Sequence, residues 1–349
     1  MATTVARECR IRAVCSSVPE RLFDNLTETT AFEPEEVDKV VKMAGVRTRH
    51  LASDQICSSD LCAAAARRVL ERLNWDPKSV DALIFVTQSQ DYLLPSTACL
   101  VQHWLGLSDN CAAFDVGLGC SGYPYGLWLA SMMLNGGGLK RVLVLHGETP
   151  TRFSDKSDRS VALLFGDAGS ATALEAAPDP DGEPWWFSLH TDGSGWRDLI
   201  IEGGGFRDRF PADSRKHFVS MNGAGIFNFA IKRVPSVIED TLKASGVGRE
   251  AIDYFVLHQS NLFIMRHLAR KMKIPESKIP FSIQRFGSAG GPSIPLTLTQ
   301  GGLNRPAERA LKLLLVGYGV GLSWGSALIS LPPDAVLDHT VVSGPEIRG

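Results

Sequence analysis

Cys120, His258 and three glycine-rich segments are the parts of this sequence equipped for chemistry. Cys120 sits in Gly117-Leu-Gly-Cys-Ser-Gly122. It lies between Ala112–Val116, which reads as a strand, and Tyr125–Leu134, which carries Leu127, Ala130 and Leu134 at helical spacing. A cysteine on a tight strand-to-helix turn meets the free N–H groups and the dipole of the helix start, which favour a thiolate. Glycines on both sides admit a strained backbone and the close approach of a ligand. This is the setting of a nucleophile, although a buried, inert cysteine is the commoner fate of the residue.

His258 directly follows the apolar run Tyr254-Phe-Val-Leu257 and precedes a helix that begins near Asn261. It therefore stands at the carboxyl end of a buried strand, where open α/β sheets place their ligands. Of the other histidines, only His146 is placed similarly. Gly287-Ser-Ala-Gly-Gly-Pro-Ser-Ile-Pro295 is a second small-residue loop leading into a helix, narrow enough to let an extended substrate reach the centre. Gly317-Tyr-Gly-Val-Gly321 reads as a third loop after a buried strand, with backbone N–H groups able to face an oxyanion.

The cysteine turn also fits G-x-G-x-x-G, the dinucleotide-binding fingerprint, in a strand-turn-helix context. Glu148, after Val142-Leu-Val-Leu-His146, would then be the ribose-binding acid, though it comes later than the usual ~20 residues on. A cysteine suits a nucleophile better than it suits a pyrophosphate loop. The dehydrogenase reading stays open as a lesser alternative.

These loops need elements to hold them. Ser58 to Asn74 reads as a helix capped by Ser58 or Ser59, with Leu61, Ala65 and Val69 on one stripe, followed by the buried strand Ala82–Val86. The pattern returns as a helix through Ile231, Val234, Ile238 and Leu242, ended by Gly246, and the strand Tyr254–Leu257. Asp81 and Asp253 are 172 residues apart, and so are the strand starts Arg141 and Leu313. Phe165-Gly166 and Trp324-Gly325 follow at corresponding places. Equal offsets suggest a duplication, with an N-terminal half at 1–178, a C-terminal half at 179–349, and Ala177-Pro-Asp-Pro-Asp-Gly182 as the turn-rich joint. Helices alternating with buried strands give the α/β class. If a pseudo-twofold relates the halves, Cys120 and His258 face each other across it.

Bulk properties narrow the classes. With 349 residues, 44% hydrophobic and 21% charged, the chain can fill two cores. A net charge of -2, without long runs of either sign, offers no field for nucleic acid or an anionic membrane. Met1 to Val14 is broken by Arg7, Glu8, Arg10 and Arg12, so no signal peptide or membrane span is expected. Seven cysteines, all within the first 120 residues and without a C-x-x-C pair, resemble neither a disulfide framework nor a zinc site, which favours a reducing cytoplasm. No metal is expected.

Taken together, Arg10-Ile-Arg, Ala44-Gly-Val-Arg, Leu94-Pro-Ser-Thr-Ala98, Asp115 through Cys120, Phe165-Gly-Asp167, His258-Gln-Ser-Asn261, Ser293-Ile-Pro295 and Gly319-Val-Gly-Leu-Ser-Trp-Gly325 resemble the β-ketoacyl-acyl-carrier-protein synthase III branch of the thiolase superfamily. The resemblance runs nearly end to end. It implies a five-layered αβαβα thiolase-like fold of two duplicated halves, a homodimer, no cofactor, and coenzyme A or carrier-protein thioesters as substrates. It makes Cys120 the acylated nucleophile, His258 the imidazole beside it, and the backbone of Cys120, Gly319, Val320 and Gly321 the oxyanion donors. Arg152, Asn261, Gly223 and Leu94 become substrate-binding positions, with Leu94 flooring the partner's acyl pocket.

Three positions depart from the pattern. Ser288 stands where the family has a catalytic asparagine that hydrogen-bonds the enolate from malonyl decarboxylation. Loss of one such donor commonly costs on the order of 2.7–4 kcal/mol, and a serine hydroxyl is shorter. Lys39 replaces the tryptophan that stacks on adenine, and Phe263 replaces a carrier-docking arginine. The expected reaction is condensation of an acyl-Cys120 thioester with a malonyl thioester in fatty-acid or secondary-metabolite biosynthesis. Transfer to an alcohol, amine or thiol without decarboxylation is the alternative that Ser288 favours, and a non-catalytic partner subunit is a third.

Overall fold

The strands related by the repeated spacing take corresponding places in two different sheets. In the computed structural model, which describes residues 2–136, 138–177, 183–306 and 308–345, eleven strands make two large sheets. In chain order they are β1 (Ala2–Ala6), β2 (Cys9–Pro19), β3 (Ala82–Val86), β4 (Ala112–Val116), β5 (Arg141–His146), β6 (Gly169–Ala176), β7 (Trp185–Thr191), β8 (Tyr254–Leu257), β9 (Leu311–Gly319), β10 (Ser323–Leu331) and β11 (Val336–Val342). The first sheet runs β11-β2-β6-β5-β3-β4 and the second β1-β7-β10-β9-β8.

Within both sheets the same four-strand unit recurs. β2-β6-β5-β3 matches β7-β10-β9-β8, with two antiparallel pairings followed by one parallel pairing in each. Asp81 and Asp253 play the same part: each backbone N–H donates to a carbonyl of the neighbouring strand, Arg141 or Lys312, and each carboxylate takes backbone N–H groups there. This pairing equates Arg141 with Lys312, 171 residues on, so the second offset is one residue shorter than the sequence suggests. Trp324-Gly325 opens strand β10, whereas Phe165-Gly166 precedes the counterpart strand β6 in a loop. The joint at 178–182, and with it the division at 178/179, lies outside the described residues. The sheets also exchange edges, since β1 joins the second and β11 the first.

Helices α1 (Ser58–Leu73) and α2 (Thr97–Trp104) cover the outer face of the first sheet, and α4 (Gly223–Ser245) and α5 (Leu262–Met272) cover that of the second. Between the sheets lie α3 (Gly122–Asn135) and α6 (Ser293–Gln300), which touch strands of both and complete five layers. A helix packed on two faces must be apolar almost all round, and α3 is: Tyr123, Leu127, Ala130 and Leu134 enter the central core with Val86, Val144, Phe187 and Leu315. The cap of α1 differs from expectation. Ser58 and Ser59 are buried inside the helix, and the carboxylate of Asp60 reaches back to the N–H of Cys57 at 2.7 Å. Gly246, at φ 70°, ends α4 as expected.

Candidate active site

The Cys120 turn is formed where β4 ends and α3 begins. Gly122 N–H donates to the Gly119 carbonyl at 2.8 Å, which closes the turn, and α3 starts at Gly122, earlier than the helical spacing indicated. Cys120 thus lies two residues before the helix, with Ser121 as the N-cap between them. The turn rests on the end of β9. A β-carbon on Gly319 would lie 2.6 Å from Cys120 Cβ and 3.0 Å from its Sγ, so only glycine admits the cysteine there. Gly317 to Gly319 accordingly belongs to the strand, not to a loop after it, and only the residues beyond form the turn. The Ser121 hydroxyl meets that of Ser323 at 2.6 Å, and Ser323 donates to the Val320 carbonyl at 2.9 Å, which pins the two turns together.

Desolvation pushes the half-buried Cys120 thiol up to about 12, with Glu148 adding to the rise and the backbone N–H groups of Val320 and Cys120 opposing it. At rest Cys120 is therefore a thiol, contrary to the thiolate expected from the helix start, because removal from water outweighs the backbone donors. Of the four oxyanion positions named from sequence, the backbone N–H groups of Cys120 and Val320 favour negative charge on the sulfur.

His258 is buried at the end of β8, its backbone N–H bonded to the Val316 carbonyl at 2.8 Å. Its Nδ1 lies 2.8 Å from the Ser293 hydroxyl at the start of α6, and its ring stands edge-on to Tyr318 at 5.4 Å. Burial lowers it to about 4, against the pull of the Gly290 carbonyl, so the imidazole is neutral at rest. β9 is the shared platform, since Gly319 supports Cys120 while Val316 and Tyr318 hold His258.

A cavity of about 270 Å³ opens at Cys120. Its wall includes Val320, Gly290, Gln88 and Glu148, with an apolar side formed by Pro150, Phe153, Phe165, Val219 and Leu199 to Ile201. Sequence reading missed that apolar wall, whose signals are short: Leu199–Ile200 form a two-residue strand paired antiparallel with Ser220–Met221, with Ile201 and Val219 beside it. Glu148 is buried and accepts from Gln88 N–H at 2.8 Å and from the Ser89 hydroxyl. Burial raises it to about 7. Tied to the 88–89 segment, it is not placed as a ribose-binding acid, and the helix after the glycine turn lies between two sheets.

The remaining predicted positions sit apart from the cavity wall. Ser288 is buried; its N–H donates to the Leu164 carbonyl at 2.9 Å and its carbonyl accepts from Gly166 at 3.2 Å. Arg152 holds the carbonyls of Ser53 and Ile56 at 2.7 and 2.6 Å. Asn261 caps α5 through bonds from Phe263 and Ile264, Gly223 opens α4, and Leu94 is 79% exposed. Among the described residues no cluster of histidine, cysteine and carboxylate side chains is suited to a metal ion, and no helix is long and apolar enough to cross a membrane.

Two stacked αβ halves with a cysteine and a histidine near one glycine-lined platform define a thiolase-like acyl-transferring protein. Residues 114–193 match the family described as 3-oxoacyl-[acyl-carrier-protein (ACP)] synthase III, and residues 242–331 match its C-terminal family. The β-ketoacyl-[acyl-carrier-protein] synthase III of Syntrophomonas wolfei is 34% identical over 316 residues, spanning 90% of this chain and 94% of that one. A 3-oxoacyl-(acyl-carrier protein) synthase structure from Burkholderia xenovorans superposes with a TM-score of 0.93 at 39% identity, covering 97% and 99% of the two chains. The priming β-ketosynthase of the R1128 polyketide pathway gives 0.82 at 27%, covering 94% and 97%. The chain belongs to the 3-oxoacyl-acyl-carrier-protein synthase III family and is a condensing acyltransferase of fatty-acid or polyketide biosynthesis. That identity replaces the dehydrogenase and non-catalytic readings.

Proposed function

We propose that Cys120 carries the acyl group and that His258 moves the proton. What carries it is Cys120 at the wall of a cavity it shares with Val320, its Cβ and Sγ packed against Gly319 of the strand whose residues Val316 and Tyr318 hold His258. The Cys120 proton passes to His258 as sulfur attacks the thioester carbonyl. The resulting oxyanion is met by the N–H groups of Cys120 and Val320, and collapse expels the donor thiol, which takes the proton back. Loss of carbon dioxide from a malonyl thioester then gives the carbanion that attacks acyl-Cys120; the new C–C bond makes a 3-ketoacyl thioester as the C–S bond breaks, and Cys120 leaves as a thiolate that is reprotonated.

Transfer without decarboxylation is the second reading. Ser288 favours it, because a shorter hydroxyl stands here where the family has the asparagine amide that hydrogen-bonds the enolate. Coenzyme A or a carrier protein presents the thioester in either case. The open edge of β4 and the exposed Tyr92, Leu93 and Leu94 support a homodimer with Leu94 reaching the partner's cavity. Seven free cysteines fit a reducing compartment such as the cytoplasm.

Intact-protein mass spectrometry after incubation with acyl-coenzyme A thioesters, then malonyl thioester, tests the proposal. Acyl mass on Cys120 followed by carbon dioxide and a ketoacyl product supports condensation. Stable acylation without response to malonate supports transfer to another acceptor. No acyl mass with any donor overturns the acyl-enzyme.

A further inference from the structure

Among the described residues, His146 is a buried imidazole with both ring nitrogens unpartnered. It closes β5, and its backbone carbonyl accepts from the Ser170 hydroxyl at 3.0 Å. The ring is pressed between two backbone segments of the active site. A β-carbon on Gly291 would stand 1.9 Å from both Cε1 and Nε2, and one on Gly122 would stand 3.0 Å from Cε1. The same point on Gly291 lies 2.6 Å from the Gly119 carbonyl oxygen. His146 therefore marks the place where the turn that carries Cys120 meets the loop that carries Gly290. It is near enough to His258 for the two rings to influence each other's proton affinity, and burial keeps it neutral, at about 3.

An aliphatic side chain would fill this space without stranding two polar atoms, so packing alone disfavours histidine here. Local rules are broken most often where a site requires it. We propose that His146 is a positioning residue of the acyl-transfer site: a ring wedged between the Cys120 turn and the Gly290–Gly291 segment that keeps Cys120 and His258 in register and lends that contact a polarity no hydrocarbon supplies. The inference rests on Cys120 and His258 as the working pair.

The test compares His146→Leu, His146→Phe and His146→Gln with wild type by melting temperature, by the rate of iodoacetamide alkylation of Cys120, and by single-turnover acylation from acetyl- and octanoyl-coenzyme A. The Leu and Phe variants are expected to melt at or above wild type while alkylation and acylation slow by about tenfold or more at little-changed KM, since small misplacements of reacting groups have effects of this order or larger. The Gln variant restores part of the rate. A Leu or Phe variant that folds as well as wild type and reacts within about twofold of it overturns the proposal, as do variants whose rates fall only in step with their melting temperatures. If wild-type Cys120 is alkylated but accepts no acyl group, the acyl-enzyme reading fails while the alkylation comparison still decides the role of His146.

Discussion

Gly319 lies so close beneath Cys120 that a β-carbon on it would stand 2.6 Å from the cysteine's own. Cys120 is thereby seated against the end of the strand whose next residue, Val320, has a backbone N–H that favours negative charge on the sulfur. Gly319→Ala must move one of the two. Displacing the oxyanion donor should slow Cys120 acylation by about 10²–10³-fold, the loss seen when such a donor is removed. Single-turnover mass spectrometry checks it, and a rate near wild type would show that the turn yields freely.

Cys120 titrates near 12, so its thiolate fraction is small at neutral pH and rises about tenfold for each pH unit until that value is reached. Iodoacetamide alkylation of Cys120 should climb with a log-linear slope near one between roughly pH 7 and 10. A plateau below pH 8 would mean that a positive neighbour lowers the thiol in solution.

His258 is neutral at rest and is the group assigned to take the thiol proton. His258→Ala should cut acylation by about 10²–10⁴-fold, the usual contribution of a positioned acid–base group. Binding of a non-hydrolysable thioester analogue should change far less, and equal losses in both would point to a binding role instead.

Ser288 is buried with its backbone tied to Leu164 and Gly166, off the wall that Cys120 shares. Ser288→Ala should leave Cys120 acylation within about twofold, because the hydroxyl meets neither the sulfur nor its oxyanion donors. Carbon dioxide release from a malonyl thioester, measured separately, then reports whether the hydroxyl aids the second step.

Glu148 has a folded value near 7, above its ordinary 4.5, because burial disfavours the carboxylate. A raised value means the folded state holds the proton longer, so this contribution to stability is complete below about pH 4.5 and is lost as pH rises through about 7. Relative to wild type, Glu148→Gln should gain stability across that window, by up to about 3 kcal/mol on the conversion of 1.36 kcal/mol per pH unit. Denaturant melts at pH 4.5 and 8 decide it; a difference independent of pH would mean the carboxylate is solvated.

Much of this was legible in the residue order. Continuous apolar runs such as Ala82–Val86 are buried on both faces, and run length with flanking glycine or aspartate suffices to place them. The repeat was visible in Asp81 and Asp253 because each pins the start of a parallel strand by the same bonds. The one-residue error in the second offset arose because apolar strands look alike under a shift, and only hydrogen bonding fixes register.

The cysteine turn and the strand-end histidine were likewise local features, carried by glycine spacing and by hydropathy. What the order of residues could not contain was their environment. The neutral state of Cys120 follows from the desolvation imposed by segments far away in the chain, and pattern reading had assigned the opposite preference from the helix start alone. The apolar wall at Leu199 to Ile201, the exchange of β1 and β11 between sheets, and the contact of His146 with Gly291 are all made by residues distant in sequence. Sequence determined the elements and the reactive groups because those depend on neighbours along the chain; tertiary structure alone decided proton affinities, cavity shape and which glycine meets which side chain, because those depend on neighbours in space.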